Sequence, residues 1–165
     1  MTEPARQIKV LLIDDEKDLV DYLAKRLLVE GFMVRATFSG EEALRVASDE
    51  DFDVAVVDLK MPGIDGIETI NRLRARRPFI QCIIITGYSS LETALECGKL
   101  EAVQYFSKPV EHGELATAID EAANRKRELL YDQFRIELES VISGGASPHD
   151  IKEAVDHLHA KYGIK

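Results

Sequence analysis

The sequence predicts an α/β fold built on a doubly wound, five-stranded parallel sheet, with a helical extension behind it. Three observations lead there. Short apolar runs alternate with stretches of helical spacing, five times within about 120 residues, and such alternation implies a parallel sheet covered by helices on both faces. Hydrophobic residues make up 45% of the 165 residues, enough to fill a core, and charged residues 31%, as in a globular chain. The pattern and the charge both change near residue 124, where helical spacing continues without further strands.

Each element has its own signal. Ile8 to Ile13 is an apolar run stopped by acids and reads as a buried strand. Leu19, Tyr22, Leu23, Leu27 and Leu28 mark a helix from Lys17 to Glu30, with Gly31 as its stop. Met33 to Phe38 is the second strand. Ser39 caps a helix over about 40–48, with Glu42 placed for a capping box. Val54 to Asp58 is the third strand, followed by turn residues from Met61 to Gly66. A helix from about Ile67 to Arg76 stops at Arg77-Pro78. The fourth strand covers Ile80 to Thr86, the fourth helix Leu91 to Leu100, and the fifth strand Ala102 to Phe106. Lys108-Pro109 opens the last helix, with Pro109 suited to its first turn and its bond to Lys108 either cis or trans.

Composition excludes several classes. Lys plus Arg number 21 and Asp plus Glu 30, a net charge of −9, which argues against a chain that coats nucleic acid or an anionic membrane. Residues 1–123 carry the whole excess, with 14 basic and 23 acidic residues, whereas 124–165 hold seven of each. The expected division is therefore a domain over 1–123 and an extension over 124–165. No apolar run approaches the ~20 residues of a membrane span. Residues 1–7 are polar and contain no apolar signal core. Cys82 and Cys97 do not by themselves make a disulfide framework or a zinc site. The simplest location is the cytoplasm.

An open parallel sheet places its functional crevice beyond the carboxyl ends of its strands. The first strand ends in Asp14-Asp15-Glu16, the third in Asp58 and the fourth in Thr86, and Lys108 follows the fifth. If the first and third strands are neighbours, Asp14 or Asp15 lies ~5 Å from Asp58. Clustered carboxylates repel unless a cation joins them, and a few oxygen donors suit Mg²⁺. A carboxylate is also a nucleophile that can form an acyl phosphate. That reaction needs charge neutralisation at the phosphoryl oxygens, which a metal, the Lys108 ammonium and the Thr86 hydroxyl can supply. Proline keeps the preceding Lys108 out of helical conformation and on the loop. Taken singly, each residue also reads as an ordinary surface or strand-end group; the argument rests on their joint placement.

These residues resemble the receiver domain of bacterial two-component response regulators, over roughly 7–123. The resemblance is carried by Ile13-Asp14-Asp15-Glu16, by Asp58-Leu-Lys-Met-Pro-Gly-Ile-Asp-Gly66, by Ile85-Thr86-Gly87 and by Tyr105-Phe-Ser-Lys108-Pro109. It implies a flavodoxin-like sheet of order 2-1-3-4-5. It implies Asp58 as phosphoacceptor, and Asp14 and Asp15 as the acidic pair around Mg²⁺, with Asp58 and the Lys60 carbonyl as further ligands. Lys108 would contact the phosphoryl group, Thr86 would move toward it, and Tyr105 would turn inward with Thr86. Lys60 and Tyr88 occupy positions that tune phosphoryl lifetime in the family. The implied donor is a sensor histidine kinase or a histidine phosphotransfer protein. The output is a changed surface around Thr86 and Tyr105, read by a downstream protein partner. Such a module assists its own phosphorylation and dephosphorylation without being an enzyme of another class. Two positions depart from the family: Glu101 stands where a glycine usually precedes the fifth strand, and Val110 replaces an aromatic after Lys-Pro.

The tail leaves alternatives. Leu115, Ile119, Ala122, Leu129, Leu130, Phe134, Leu138 and Val141 carry the last helix past residue 124. This stretch either forms a homodimer or packs back on its own domain. Residues 143–146 form a hinge, and Ser147-Pro148 opens a short helix with Ile151, Ala154, Val155, Leu158 and Tyr162 on one side. His149, His157 and His159 read as solvated helix residues rather than metal ligands. The leading function is a phosphorylation-driven switch without a separate effector domain. The alternative, a DNA-binding transcriptional regulator acting through the tail, meets only two lysines, no arginine and three acids in 147–162. An aspartate-nucleophile phosphatase needs a second aspartate where Lys60 stands. A nucleotide or flavin site wants a Gly/Ser/Thr-rich loop where Asp14-Asp15-Glu16 stands.

Overall fold

In the computed structural model, which describes residues 6–87, 90–101 and 104–164, five strands run parallel in the order β2-β1-β3-β4-β5. The strands are β1 (Lys9–Ile13), β2 (Met33–Thr37), β3 (Val54–Val57), β4 (Gln81–Thr86) and β5 (Gln104–Ser107). The helices are α1 (Lys17–Val29), α2 (Gly40–Asp49), α3 (Gly66–Arg76), α4 (Leu91–Lys99), α5 (His112–Ser143) and α6 (Pro148–Tyr162). The chain forms two compact units, 1–123 and 124–165.

The first unit owes its layers to the period of two along each strand. Val10 and Leu12 of β1, Val54 and Val56 of β3, and Ile83 and Ile85 of β4 face one side, where Val20, Leu23 and Leu27 of α1 and Leu115, Ile119 and Ala122 of α5 cover them. Leu11, Ile13, Ala55, Val57, Cys82 and Ile84 face the other, under Ala43 and Ala47 of α2, Ile70 and Leu73 of α3 and Cys97 of α4. The central strands are thus buried on both faces. Each fully buried Leu, Ile or Val contributes roughly 1.5–3 kcal/mol of transfer free energy.

Several local expectations need correction. Helix α5 begins at His112 rather than at Pro109. The Glu111 carboxylate accepts from the N–H groups of Gly113 and Glu114, both at 3.1 Å, and so satisfies the first turn three residues beyond the Lys108–Pro109 bond. That bond is cis. Ser39 caps α2 by accepting from Glu42 N at 3.1 Å, but the Glu42 carboxylate reaches Phe38 N at 2.9 Å instead of the cap residue's own N–H. The described part of the fifth strand begins at Gln104; Ala102 lies outside the described residues, as does Tyr88. Glu101 takes φ 53°, the left-handed conformation that a glycine would adopt without strain. Its carbonyl accepts from Arg74 Nη2 at 2.9 Å.

In the second unit α6 packs against the end of α5. Leu158 is buried, His159 stacks on Phe134 with ring centroids 5.1 Å apart, and Glu137 accepts from Lys161 and Tyr162. Ser147 and Asp150 form a reciprocal capping box with Pro148 in the first turn of α6. His149 pairs with Glu153 at 3.5 Å. Among the described residues no group of three potential metal ligands includes a histidine.

Candidate functional site

Strand register brings the acids together. Ile13 of β1 pairs with Val57 of β3, so the next residue of each strand, Asp14 and Asp58, emerges at the same level. Asp58 N donates to Ile13 O at 2.9 Å, and Asp14 N to Thr37 O at 3.3 Å, which fixes both backbones at the rim. Asp14, Asp15 and Asp58 each offer a carboxylate oxygen within 4.8 Å of the others. On the far side of β3, Thr86 pairs with Ser107, and Lys108 N donates to Thr86 O at 2.9 Å. This bond sets Lys108 over the rim. Its Nζ lies 2.7 Å from Asp14 Oδ2, 2.9 Å from Glu16 Oε1 and 3.5 Å from Asp58 Oδ2.

The Asp58 loop is held from below by Gly66. A Cβ there would sit 2.3 Å from the Asp58 carbonyl oxygen and 2.7 Å from Leu59 Cα, so only glycine allows the start of α3 to approach this closely. Gly66 N donates to Leu59 O at 3.0 Å, and the Asp65 side chain caps α3 through Glu68 N.

Electrostatics make Asp58 unusual. It is 5% exposed, and its Oδ1 is buried with no hydrogen-bond partner. Burial, and then the Asp14 charge, hold its carboxyl above the usual range; the Lys108 ammonium and the Lys60 backbone N–H only partly oppose this. Burial alone would lower the Lys108 pKa, but the hydrogen bonds it donates to Asp14 and Glu16 and the charges of Asp14 and Asp58 push it well above its ordinary value. The ammonium is therefore a permanent cation at this rim.

The donor set fits a hard divalent cation. Three carboxylates supply only oxygen, one carries an unsatisfied buried atom, and a single lysine does not neutralise four clustered acids, counting Glu16. Lys60 is exposed, two residues beyond Asp58. Thr86 is fully buried at the end of β4. Tyr105 is half-buried on β5 and packs with the α2–α3–α4 side of the core. Burial, and then the neighbouring Cys97, raise the Tyr105 phenol's pKa.

The Glu16 contact with Lys108 has no signal in the sequence: an acid at the entry to a helix points to capping, which the Glu16 side chain does not perform. In the sequence Gly66 signals only a turn; the closeness of α3 to Asp58 is a property of packing that no single-sequence pattern shows.

Comparison with known proteins gives one consistent answer. Residues 10–120 match the family model described as the response regulator receiver domain. The transcriptional regulatory protein ZraR of Salmonella typhimurium is 33% identical over 122 residues, which is 74% of this chain and 28% of ZraR. An NtrX-like response regulator of Rickettsia typhi is 29% identical over 146 residues, 86% of this chain and 31% of its own length. The chain thus spans less than a third of the length of these curated relatives. A receiver domain protein of Clostridium thermocellum superposes with a TM-score of 0.70 at 33% identity, covering 74% of this chain and 98% of that one. A CheY-like receiver domain of Methanospirillum hungatei gives 0.71 at 29% identity, with the same coverage of both chains.

Proposed function

Because the chain belongs to the response regulator receiver domain family, we propose that Asp58 accepts a phosphoryl group and that the resulting charge switches the surface around Thr86 and Tyr105. The observation that carries this reading is the meeting of Asp14, Asp15, Asp58 and Lys108 at one rim, with a buried, unpartnered Asp58 oxygen among them.

An Asp58 carboxylate oxygen attacks the phosphorus of the donor. The bond from phosphorus to the donor breaks, its electron pair leaves with the donor, and an acyl phosphate remains on Asp58. Asp14, Asp15, Asp58 and the Lys60 carbonyl would hold Mg²⁺, which when bound offsets the charge of the carboxylates and the phosphoryl oxygens. Lys108 gives one phosphoryl oxygen a charge-assisted hydrogen bond, and the Thr86 hydroxyl donates to another. A histidine on a sensor kinase or a phosphotransfer protein suits the donor role, its imidazole leaving as the neutral group once protonated. The same residues assist the return of the phosphoryl group to water.

Phosphorylation replaces one negative charge with about two and adds acceptor oxygens, on the model of other phosphorylated side chains. Bonds from Thr86 and Lys108 that are stronger in one conformation shift the population toward it. Moving a 1:99 ratio to 99:1 takes ~5.5 kcal/mol of differential binding. Tyr105 follows Thr86 inward. The adjoining helix α4 exposes Leu91 and Leu95, at 78% and 61%, an apolar surface for a downstream protein partner.

Incubation with a small phosphodonor such as acetyl phosphate tests the assignment. Wild type takes up label with Mg²⁺ and loses that uptake in chelator, and Asp58→Asn takes up none. Equal labelling of Asp58→Asn refutes it.

A further inference from the structure

We propose that Glu16 is a positioning residue that holds the Lys108 ammonium toward itself and Asp14, so that a phosphoryl group arriving at Asp58 competes with Glu16 for it. The inference rests on the receiver reading of the site and adds to it a residue with no task there so far.

The geometry is specific. An ammonium has three N–H donors. Two of those on Lys108 go to Asp14 Oδ2 at 2.7 Å and Glu16 Oε1 at 2.9 Å, while Asp58 Oδ2 makes the longest and weakest of the three contacts at 3.5 Å. Asp14 closes the arrangement, because its other oxygen accepts from Glu16 N at 2.9 Å. Asp14, Glu16 and Lys108 thus close a ring of two hydrogen bonds and one ion pair, with the ammonium nearer to Asp14 and Glu16 than to Asp58.

Glu16 is also turned away from its expected employment. It is the N-cap of α1, where a carboxylate is favoured on the free N–H groups of the first turn, yet its side chain makes no capping bond. Its carboxylate goes to Lys108 instead. The backbone still serves the helix, since Glu16 O accepts from Val20 N at 3.0 Å. Removing the side chain therefore costs α1 no capping bond.

The Glu16 side chain is 61% exposed, so it swings into water cheaply, and its hold on Lys108 is that of an exposed ion pair. That hold exists only while Lys108 stays on Glu16. It stabilises the unphosphorylated arrangement and opposes the phosphorylated one by the same amount.

The test uses beryllofluoride, a phosphoryl mimic, on the full chain with Mg²⁺. Glu16→Ala binds it about threefold more tightly than wild type, in line with the energy of an exposed pair. Asp18→Asn removes the same charge from the same end of α1 without touching Lys108, and leaves the affinity as in wild type. A second readout needs neither metal nor phosphoryl group: the Lys108 Cε resonance in ¹³C-lysine protein, identified by its loss in Lys108→Arg. In metal-free protein this resonance moves in Glu16→Ala and stays in Asp18→Asn. An unmoved resonance, an unchanged affinity in Glu16→Ala, or an equal gain in both variants overturns the tether. Failure of wild type to bind beryllofluoride, or equal binding by Asp58→Asn, instead overturns the receiver reading beneath it.

Discussion

Glu101 holds a backbone conformation that its side chain disfavours. At φ 53° an L-residue with a Cβ loses roughly 1–2 kcal/mol relative to the right-handed region. Glu101 takes the backbone conformation a glycine would adopt freely, and the bond from Arg74 to its carbonyl helps to fix it. Glycine would relieve the strain but gains more freedom in the unfolded chain, which returns roughly 0.5–1 kcal/mol of the benefit. Glu101→Gly is therefore expected to stabilise the fold by roughly 0.5–1 kcal/mol, a rise of about 1–4 °C in the melting temperature of a chain this size. A calorimetric scan checks it; a lower melting temperature would mean that the Glu101 side chain contributes more than its backbone costs. Glu16 and Asp58 teach a related lesson at the same scale. Their types and order are plain in the sequence, but the turn of the Glu16 carboxylate toward Lys108 and the unpartnered Asp58 oxygen depend on neighbours 92 and 44 residues away along the chain, respectively Lys108 and Asp14.

Among the elements, the pairing of α6 with α5 is held in part by Glu137. Hydrogen bonds from Tyr162, Lys161 and Gln133 hold its carboxyl down to about 2, against an ordinary 4.5. A group whose folded pKa is depressed contributes its full stability above the unfolded value and loses it as pH falls through the folded one. Protection of the α6 amides from hydrogen exchange is thus expected to exceed that of Glu137→Gln at pH 6, with the gap closing between about pH 4.5 and 2. A gap that persists at pH 2 would assign the effect to shape rather than charge. The elements themselves were largely readable. Burial on both faces makes β1, β3 and β4 near-continuous apolar runs, whereas the order 2-1-3-4-5 is implied only by the resemblance to receiver domains, because right-handed crossovers permit other orders as well. The closeness of Asp14, Asp58 and Lys108 was readable given that order, since each directly follows a strand. The start of α5 was not. Pro109 is the usual mark of a first turn, yet the Glu111 side chain caps the helix further on, and that choice depends on the path out of β5 rather than on local preference.

For the whole molecule, the placement of the site in one unit has a consequence. Asp14, Asp15, Glu16, Asp58, Lys60, Thr86, Tyr105 and Lys108 all lie within 1–123, as do the side chains that cover the sheet on both faces. Solved receiver domains align with 74% of this chain and with 98% of their own length, so a sheet of this size with its five helices stands alone in those relatives. The seven basic and seven acidic residues of 124–165 add no net charge to the acidic rim. A chain ended after Ala123 is therefore expected to label at Asp58 with acetyl phosphate and Mg²⁺ at the rate of the full chain. Circular dichroism on the same sample verifies that it is folded. A folded truncation that labels more slowly would show that residues 124–165 act on the chemistry itself.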